Sequence, residues 1–394
     1  MDLASRLGAA HRADVPPFYV MDQIAAFAQR MATHRDGISL MAGQPSTGAP
    51  KPVAEEAVRL LSSGDPLGYT GIAGVPALRR GIAGHYREWY GVDVDPDDIV
   101  VTTGASGAFL LAFLACFEPG DKIAMACPSY PAYRNDLQVL GCEVVEIATG
   151  PETAYQPTVE QLEAIPDLKG VIVASPSNPA GTLLADDELK AIALWCDDHA
   201  VRFISDEIYH GLEYGADGEP VRAASTAREF STEAIVIGSF SKYFSMTGWR
   251  LGWMIIPPQL RRAIEVLSGN FTICPPAISQ HAAVKAFTPE SYDELDGHIR
   301  HYADNRRALL AGLPQIGITG FAPALGAFYV YADIGHVTHD SLTWCRQLLD
   351  DTGVALASGV DFDPTNGGSF VRISFAGSRP DIEAGLARLG DYLS

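Results

Sequence analysis

Short apolar runs alternate with helical patterns through the middle of this chain. The runs at residues 99–103, 122–126, 143–147, 170–174, 201–205, 234–238 and 251–256 have the length and side-chain types of buried strands. Between them lie stretches such as 186–198, rich in Leu, Ala and Lys. This alternation predicts an α/β fold, a mostly parallel sheet flanked by helices. After Pro289 a long helical stretch, 292–313, leads to three further strand-like runs at 328–334, 354–357 and 370–375. These predict a smaller α+β domain. Residues 1–50, punctuated by Pro and Gly, are expected to form an N-terminal arm and part of that small domain. Residues 51–290 would then be the large domain and 291–394 the small C-terminal one.

Composition narrows the function classes. The chain has 394 residues, 47 % hydrophobic and 19 % charged, which describes an ordered globular protein rather than a disordered one. A formal net charge of −20 argues against nucleic acid or anionic membranes as partners. The most apolar segment, 107–117, is too short to cross a bilayer and reads as a core helix. Met1-Asp2-Leu3-Ala4-Ser5-Arg6 has no apolar h-region, so no secretory signal is expected. The six cysteines are scattered, with no metal-like spacing, and fit a reducing cytoplasm. Asp93-Val94-Asp95-Pro96-Asp97-Asp98 has the look of a calcium loop but lacks its glycine, and reads as a solvated turn.

In open α/β sheets ligands sit beyond the carboxyl ends of the strands, and four successive strand ends carry chemistry. Run 99–103 ends in Gly104-Ala105-Ser106, opening a helix whose N–H groups can face an anion. Run 170–174 ends in Ser175-Pro176-Ser177-Asn178-Pro179-Ala180-Gly181-Thr182, and run 201–205 in Asp206-Glu207-Ile208-Tyr209. Run 234–238 delivers Ser239-Phe240-Ser241-Lys242, with Gly248-Trp249-Arg250-Leu251-Gly252 following. A lysine there is well placed to hold an aldehyde as a Schiff base, while Ser239, Ser241 and Arg250 could grip a phosphate. Taken alone, Asp206 would read as a helix cap, Asn178 as a turn residue and Tyr130 as a loop tyrosine.

The lysine segment resembles that of the pyridoxal-phosphate-dependent aminotransferases of fold type I, class I/II, and the resemblance runs from about Tyr19 to the C-terminus. It implies pyridoxal 5′-phosphate as cofactor, on Lys242, with Asp206 beside the ring nitrogen and Tyr209 and Asn178 donating to the phenolic oxygen. Gly104, Ala105, Ser106, Ser239, Ser241 and Arg250 would bind the phosphate, and Tyr130 would stack on the ring. Arg372, in Phe370-Val371-Arg372-Ile373-Ser374-Phe375, matches the arginine that forks onto the substrate α-carboxylate, and Gly43 the backbone contact beside it. Tyr69 matches a tyrosine that reaches the phosphate of the neighbouring subunit, which implies a homodimer with shared sites. Ser106 stands where aspartate-using bacterial members often carry a lysine, which weakens a dicarboxylate donor.

The activity so implied is a ping-pong exchange of an amino group between an L-amino acid and a 2-oxo acid. Carbon–sulfur β-lyases resemble the same motifs and are the alternative. A non-catalytic sensor domain is the rival from another class, disfavoured by the acidic charge and the lack of a basic helix-turn-helix.

Overall fold

A computed structural model describes residues 8–394. Its main sheet has seven strands: β1 (Ile99–Thr102), β2 (Lys122–Cys127), β3 (Glu143–Ala148), β4 (Leu168–Ala174), β5 (Arg202–Asp206), β6 (Ile235–Ser239) and β7 (Gly252–Ile255). In space they run β1-β7-β6-β5-β4-β2-β3. β1, β6 and β7 are buried along their whole length, which is why they read as unbroken apolar runs.

The sheet is mostly parallel, as expected, with one strand reversed. β7 lies between β1 and β6 and is antiparallel to both. A parallel return requires a long crossover, usually a helix. The segment between β6 and β7 has only a 3₁₀ turn, Thr247–Trp249, and is pinched by the Phe240 N–H bonding the Leu251 carbonyl at 3.2 Å. That pinched loop carries Lys242 and Arg250.

The later runs form β8 (Tyr329–Asp333), β9 (Ala357–Ser358) and β10 (Phe370–Ser374), an antiparallel sheet in the order β8-β10-β9. The run expected at 354–357 is divided. Val354–Ala355 pairs in parallel with Ile38–Ser39, and only the following residues join β10. An apolar run records burial but not its partner. The pairing ties the N-terminal segment to the C-terminal elements, as does the Arg30 guanidinium donating to the Asp350 carbonyl at 2.6 Å. The long helix begins three residues earlier than read, at Pro289–Gly312, with Thr288 as N-cap and Pro289 in its first turn.

Among the described residues no helix is long and apolar enough to cross a membrane. The carboxylates of the 93–98 turn bond arginines: Asp93 with Arg87, Asp97 with Arg79, and Asp95 and Asp98 with Arg261.

Candidate active site

The carboxyl ends of β4, β5 and β6 and the first turn after β1 open onto one crevice, roofed by β10 and the Met41–Gly43 segment. Lys242, half-buried, donates from Nζ to the Gly43 carbonyl at 2.5 Å. Nζ also lies 5.3 Å from the Tyr209 ring centre and 5.8 Å from that of Phe328. Loss of hydration inside the crevice, with the Arg372 charge, lowers the ammonium pKa to about 7, against the pull of Asp206; Arg250 adds to the lowering. Gly43 has little choice of side chain, because a Cβ there would sit 3.2 Å from the Tyr329 hydroxyl.

Asp206 ends β5 with 2 % of its surface exposed. One carboxylate oxygen accepts from the Ile208 N–H at 3.1 Å, the turn-capping bond that an aspartate in this position makes anyway. The other accepts from the Tyr133 hydroxyl, which no cap requires. Burial raises its pKa to about 6, against both hydrogen bonds and the Lys242 charge. Tyr209, on the same turn, hydrogen-bonds the Tyr329 hydroxyl at 2.9 Å. Tyr130 is half-buried and packs edge-on against Tyr133 at 5.4 Å.

An anion corner lies beside the lysine loop. Thr102, Gly252 and Ser239 face one another across β1, β7 and β6, which brings the Gly104 turn next to the serines. Gly104 has φ +70°, and any Cβ on it would collide with the Arg250 guanidinium. Arg250 donates to the Thr247 carbonyl at 2.9 Å and is otherwise exposed. The helix that starts with Gly104, Ala105 and Ser106 receives no side-chain cap, so its first N–H groups and its dipole face the corner. Buried Ser239 accepts from the Ser241 N–H at 3.0 Å, which tightens the turn between them. An open cleft of about 450 Å³, walled by Thr47, Ser245, Thr247 and Trp249, adjoins this corner.

Arg372 is the most constrained charge in the crevice. With 4 % exposure it donates to the Asn178 side-chain oxygen at 2.8 Å and to the Met41 carbonyl at 3.0 Å. Its guanidinium carbon is 4.2 Å from the Tyr329 ring centre and 4.7 Å from that of Phe362, so the fork lies between two aromatic faces. Its Nε has no partner. Among the described residues, the Asn178 amide N–H groups have no partner.

Tyr69, also singled out from sequence, is 83 % exposed to solvent. Four participants were missed: Tyr133, Tyr329, Phe362 and the Met41 carbonyl. Tyr133 had a faint signal, since it lies three positions after Tyr130 at a helix start. The others sit in apolar strings where an aromatic reads as core.

A mostly parallel sheet with one antiparallel strand, a lysine on the loop that feeds it and a buried arginine opposite make the arrangement of the fold-type I enzymes. Residues 35–389 match the family Aminotransferase class I and II. A valine–pyruvate aminotransferase of Mycobacterium tuberculosis is 57 % identical over 98 % of both chains. The crystal structure of an aminotransferase from the same organism superposes with a TM-score of 0.95 at 56 % identity, covering 98 % of this chain and 99 % of that one. An aspartate aminotransferase of Thermus thermophilus gives 0.89 at 30 % identity, covering 98 % and 99 %. The chain belongs to the class I and II aminotransferase family, and it is a transaminase.

Proposed function

We propose that this transaminase uses pyridoxal 5′-phosphate to move the amino group of an apolar, monocarboxylic L-amino acid to a 2-oxo acid. The observation that carries the reading is Arg372: a buried guanidinium, already oriented by Asn178, Met41 and two aromatic faces, with Lys242 close enough to feel its charge. A planar fork held in this way suits a carboxylate and leaves the donor's Cα toward the lysine.

The donor set fits the cofactor. Gly104, Ala105, Ser106, Ser239, Ser241 and Arg250 would hold its phosphate, Asp206 its ring nitrogen, and Tyr209 and Asn178 its phenolic oxygen, with Tyr130 against the ring. Two features of the chain support this fit: the glycine at 104, which lets the Arg250 guanidinium lie against the helix start, and the Asn178 amide N–H groups, which have no partner among the described residues. When bound, pyridoxal phosphate supplies the electron sink that stabilises a carbanion at Cα.

The chain's own part in the reaction is positional and protic. Arg372 binds the donor carboxylate and fixes the direction of the Cα–H bond. Lys242 Nζ, with its pKa near 7, takes the Cα proton as a neutral amine and returns a proton as an ammonium. Asp206, shielded from water and held by Tyr133 and Ile208, keeps a negative charge where a cationic ring nitrogen needs one. Release of a 2-oxo acid closes one half-reaction, and a second oxo acid runs it backwards.

An apolar donor is supported by the 57 % identical relative, whose name gives valine and pyruvate. Ser106 in place of a lysine and the aromatic wall of Phe18 and Tyr130, 6.0 Å apart, agree with it. A homodimer is supported by the exposure of Tyr69 and of Arg250, which leaves the anion corner open on one side. Six unpaired cysteines support a cytoplasmic location.

The test is a panel of amino donors, each given in a single turnover to holoenzyme and followed by oxo-acid release. Valine and similar donors should react well ahead of aspartate. Ammonia and pyruvate from a cysteine conjugate, with no amino transfer to an added acceptor, would overturn the assignment.

A further inference from the structure

Asp361 makes an uncommon pair of bonds. The helix Tyr19–Thr33 starts at Phe18, which has no side chain able to cap it. Asp361, from the far end of the chain, accepts from the Tyr19 N–H with one oxygen and from the Val20 N–H with the other, each at 2.8 Å. Asp361 is buried, at 3 % exposure, while the two amides it accepts from are half-buried.

Its surroundings lead to the crevice in two directions. On one side the clamp fixes Phe18, whose ring lies 6.0 Å from that of Tyr130. On the other, the next residue, Phe362, is one of the two aromatic faces holding Arg372, and its carbonyl accepts from the Ser129 N–H at 3.0 Å, immediately before Tyr130. The Asp361 carbonyl takes a longer bond, 3.4 Å, from Arg134. One short segment thus ties together the carboxylate-binding arginine, the loop of Tyr130 and the start of the N-terminal helix.

We infer that Asp361 is a positioning residue for transamination: by clamping the Tyr19 and Val20 amides it holds Phe18 against Tyr130 and so sets which donor side chains the site accepts. The inference rests on the Lys242–Arg372 crevice being the active site. The Asp361 side chain makes none of the hydrogen bonds that hold Arg372, Lys242 or Arg250. Large apolar donors, which need the wall, lose most; alanine, which reaches it least, loses little.

The test compares Asp361→Asn, Phe18→Ala and the double variant as holoenzymes. Asparagine keeps the shape but presents an N–H to one of the two helix amides. Hydrogen exchange at Tyr19 and Val20 should quicken about tenfold in Asp361→Asn, the usual scale of a lost cap. The valine-to-alanine ratio of kcat/KM should fall by a similar factor, chiefly through KM for valine. Phe18→Ala should lower the same ratio, and the double variant should fall no further than Phe18→Ala alone, because Asp361 acts through that ring. Additive losses, an unchanged ratio or unaltered exchange would each overturn the inference. If exchange responds but wild type turns over no amino acid, the reading of the crevice falls and the clamp on the helix stands.

Discussion

Arg372 and Asn178 meet through a 2.8 Å hydrogen bond that joins the small sheet to the turn after β4. The bond has a chemical consequence beyond tethering. By donating to the asparagine's oxygen, Arg372 fixes which way the amide faces, so the Asn178 N–H groups are turned away from the guanidinium and toward an acceptor on the other side. The arginine proposed for the substrate carboxylate and the residue proposed for the phenolic oxygen therefore orient each other.

Arg372→Lys is expected to raise KM for every amino acid and lower kcat as well. An ammonium cannot bond Asn178 and Met41 at once and still present a fork, so both orientation and charge placement suffer. A loss of roughly a hundredfold in kcat/KM is expected, the scale of misplacing a reactant by about an ångström. Steady-state kinetics with amino acids and with amines lacking a carboxylate decide it. Equal losses for both would make Arg372 a structural ion.

Lys242→Ala is expected to abolish turnover yet keep binding of pyridoxal phosphate through the Arg250 corner, weakened but measurable by equilibrium dialysis. Borohydride reduction of wild-type holoenzyme should fix the cofactor on Lys242, as read from a peptide map. Burial and the Arg372 charge lower the Lys242 ammonium to about 7, so in the cofactor-free protein the rate at which Lys242 captures an added aldehyde should rise with pH through that value and level off above it. Recovery of the adduct on another lysine would remove the assignment.

Much of this site could be read in advance, because strand-end motifs are local. Lys242, Asp206, Asn178 and the Gly104 turn each follow a recognisable apolar run, and the strand-end rule alone brings them together. What escaped was non-local. The reversed direction of β7 depends on the path of the loop before it, and the division of residues 354–357 between two sheets depends on partners far along the chain. Tyr133 and Tyr329 owe their roles to single hydroxyl contacts made across the fold, and periodicity treats both as ordinary core.

Asp206→Asn should fold normally. The amide oxygen can still accept from Ile208, while the Tyr133 hydroxyl turns to accept from the new N–H. Proton abstraction should nevertheless slow by several orders of magnitude, because a neutral amide cannot hold a ring nitrogen protonated. Stopped-flow single turnovers alongside thermal melts separate the two effects. Near-normal turnover would reduce Asp206 to its turn-capping bond with Ile208.

Two glutamates behind the crevice, Glu207 and Glu213, should give the cofactor-free protein an unusual pH response. Burial raises each from an ordinary 4.5 to about 8, against the hydrogen bonds they accept. Between those values the folded chain holds protons that the unfolded chain releases. Their contribution is therefore full below pH 4.5 and is lost as pH rises through about 8. Glu213→Gln keeps the 2.7 Å acceptor for the Gly211 N–H and removes one titration. Urea melts should show wild type losing stability relative to this variant from pH 6 to 8. A constant difference across that range would exclude the mechanism.

The last expectation concerns assembly. Tyr69 is 83 % exposed, and Arg250, beside the Gly104 turn, is exposed as well. If a second copy completes the anion corner, the Tyr69 hydroxyl of one chain serves the phosphate bound by the other, and the active species is a two-fold dimer. Complementation distinguishes this from a chance association. One chain carries Lys242→Ala; the other carries Tyr69→Phe with Arg250→Ala, which disables its own corner and its help to a neighbour. Refolded together, they leave no heterodimer site complete: the first chain's site lacks Lys242, and the second's lacks Arg250. Activity should stay at background. Moving Arg250→Ala onto the Lys242→Ala chain should restore it, because the site with intact Lys242 and Arg250 then receives Tyr69 from its partner. No recovery in that second pairing, or full activity in a monomer at sedimentation-verified dilution, would show that each chain works alone.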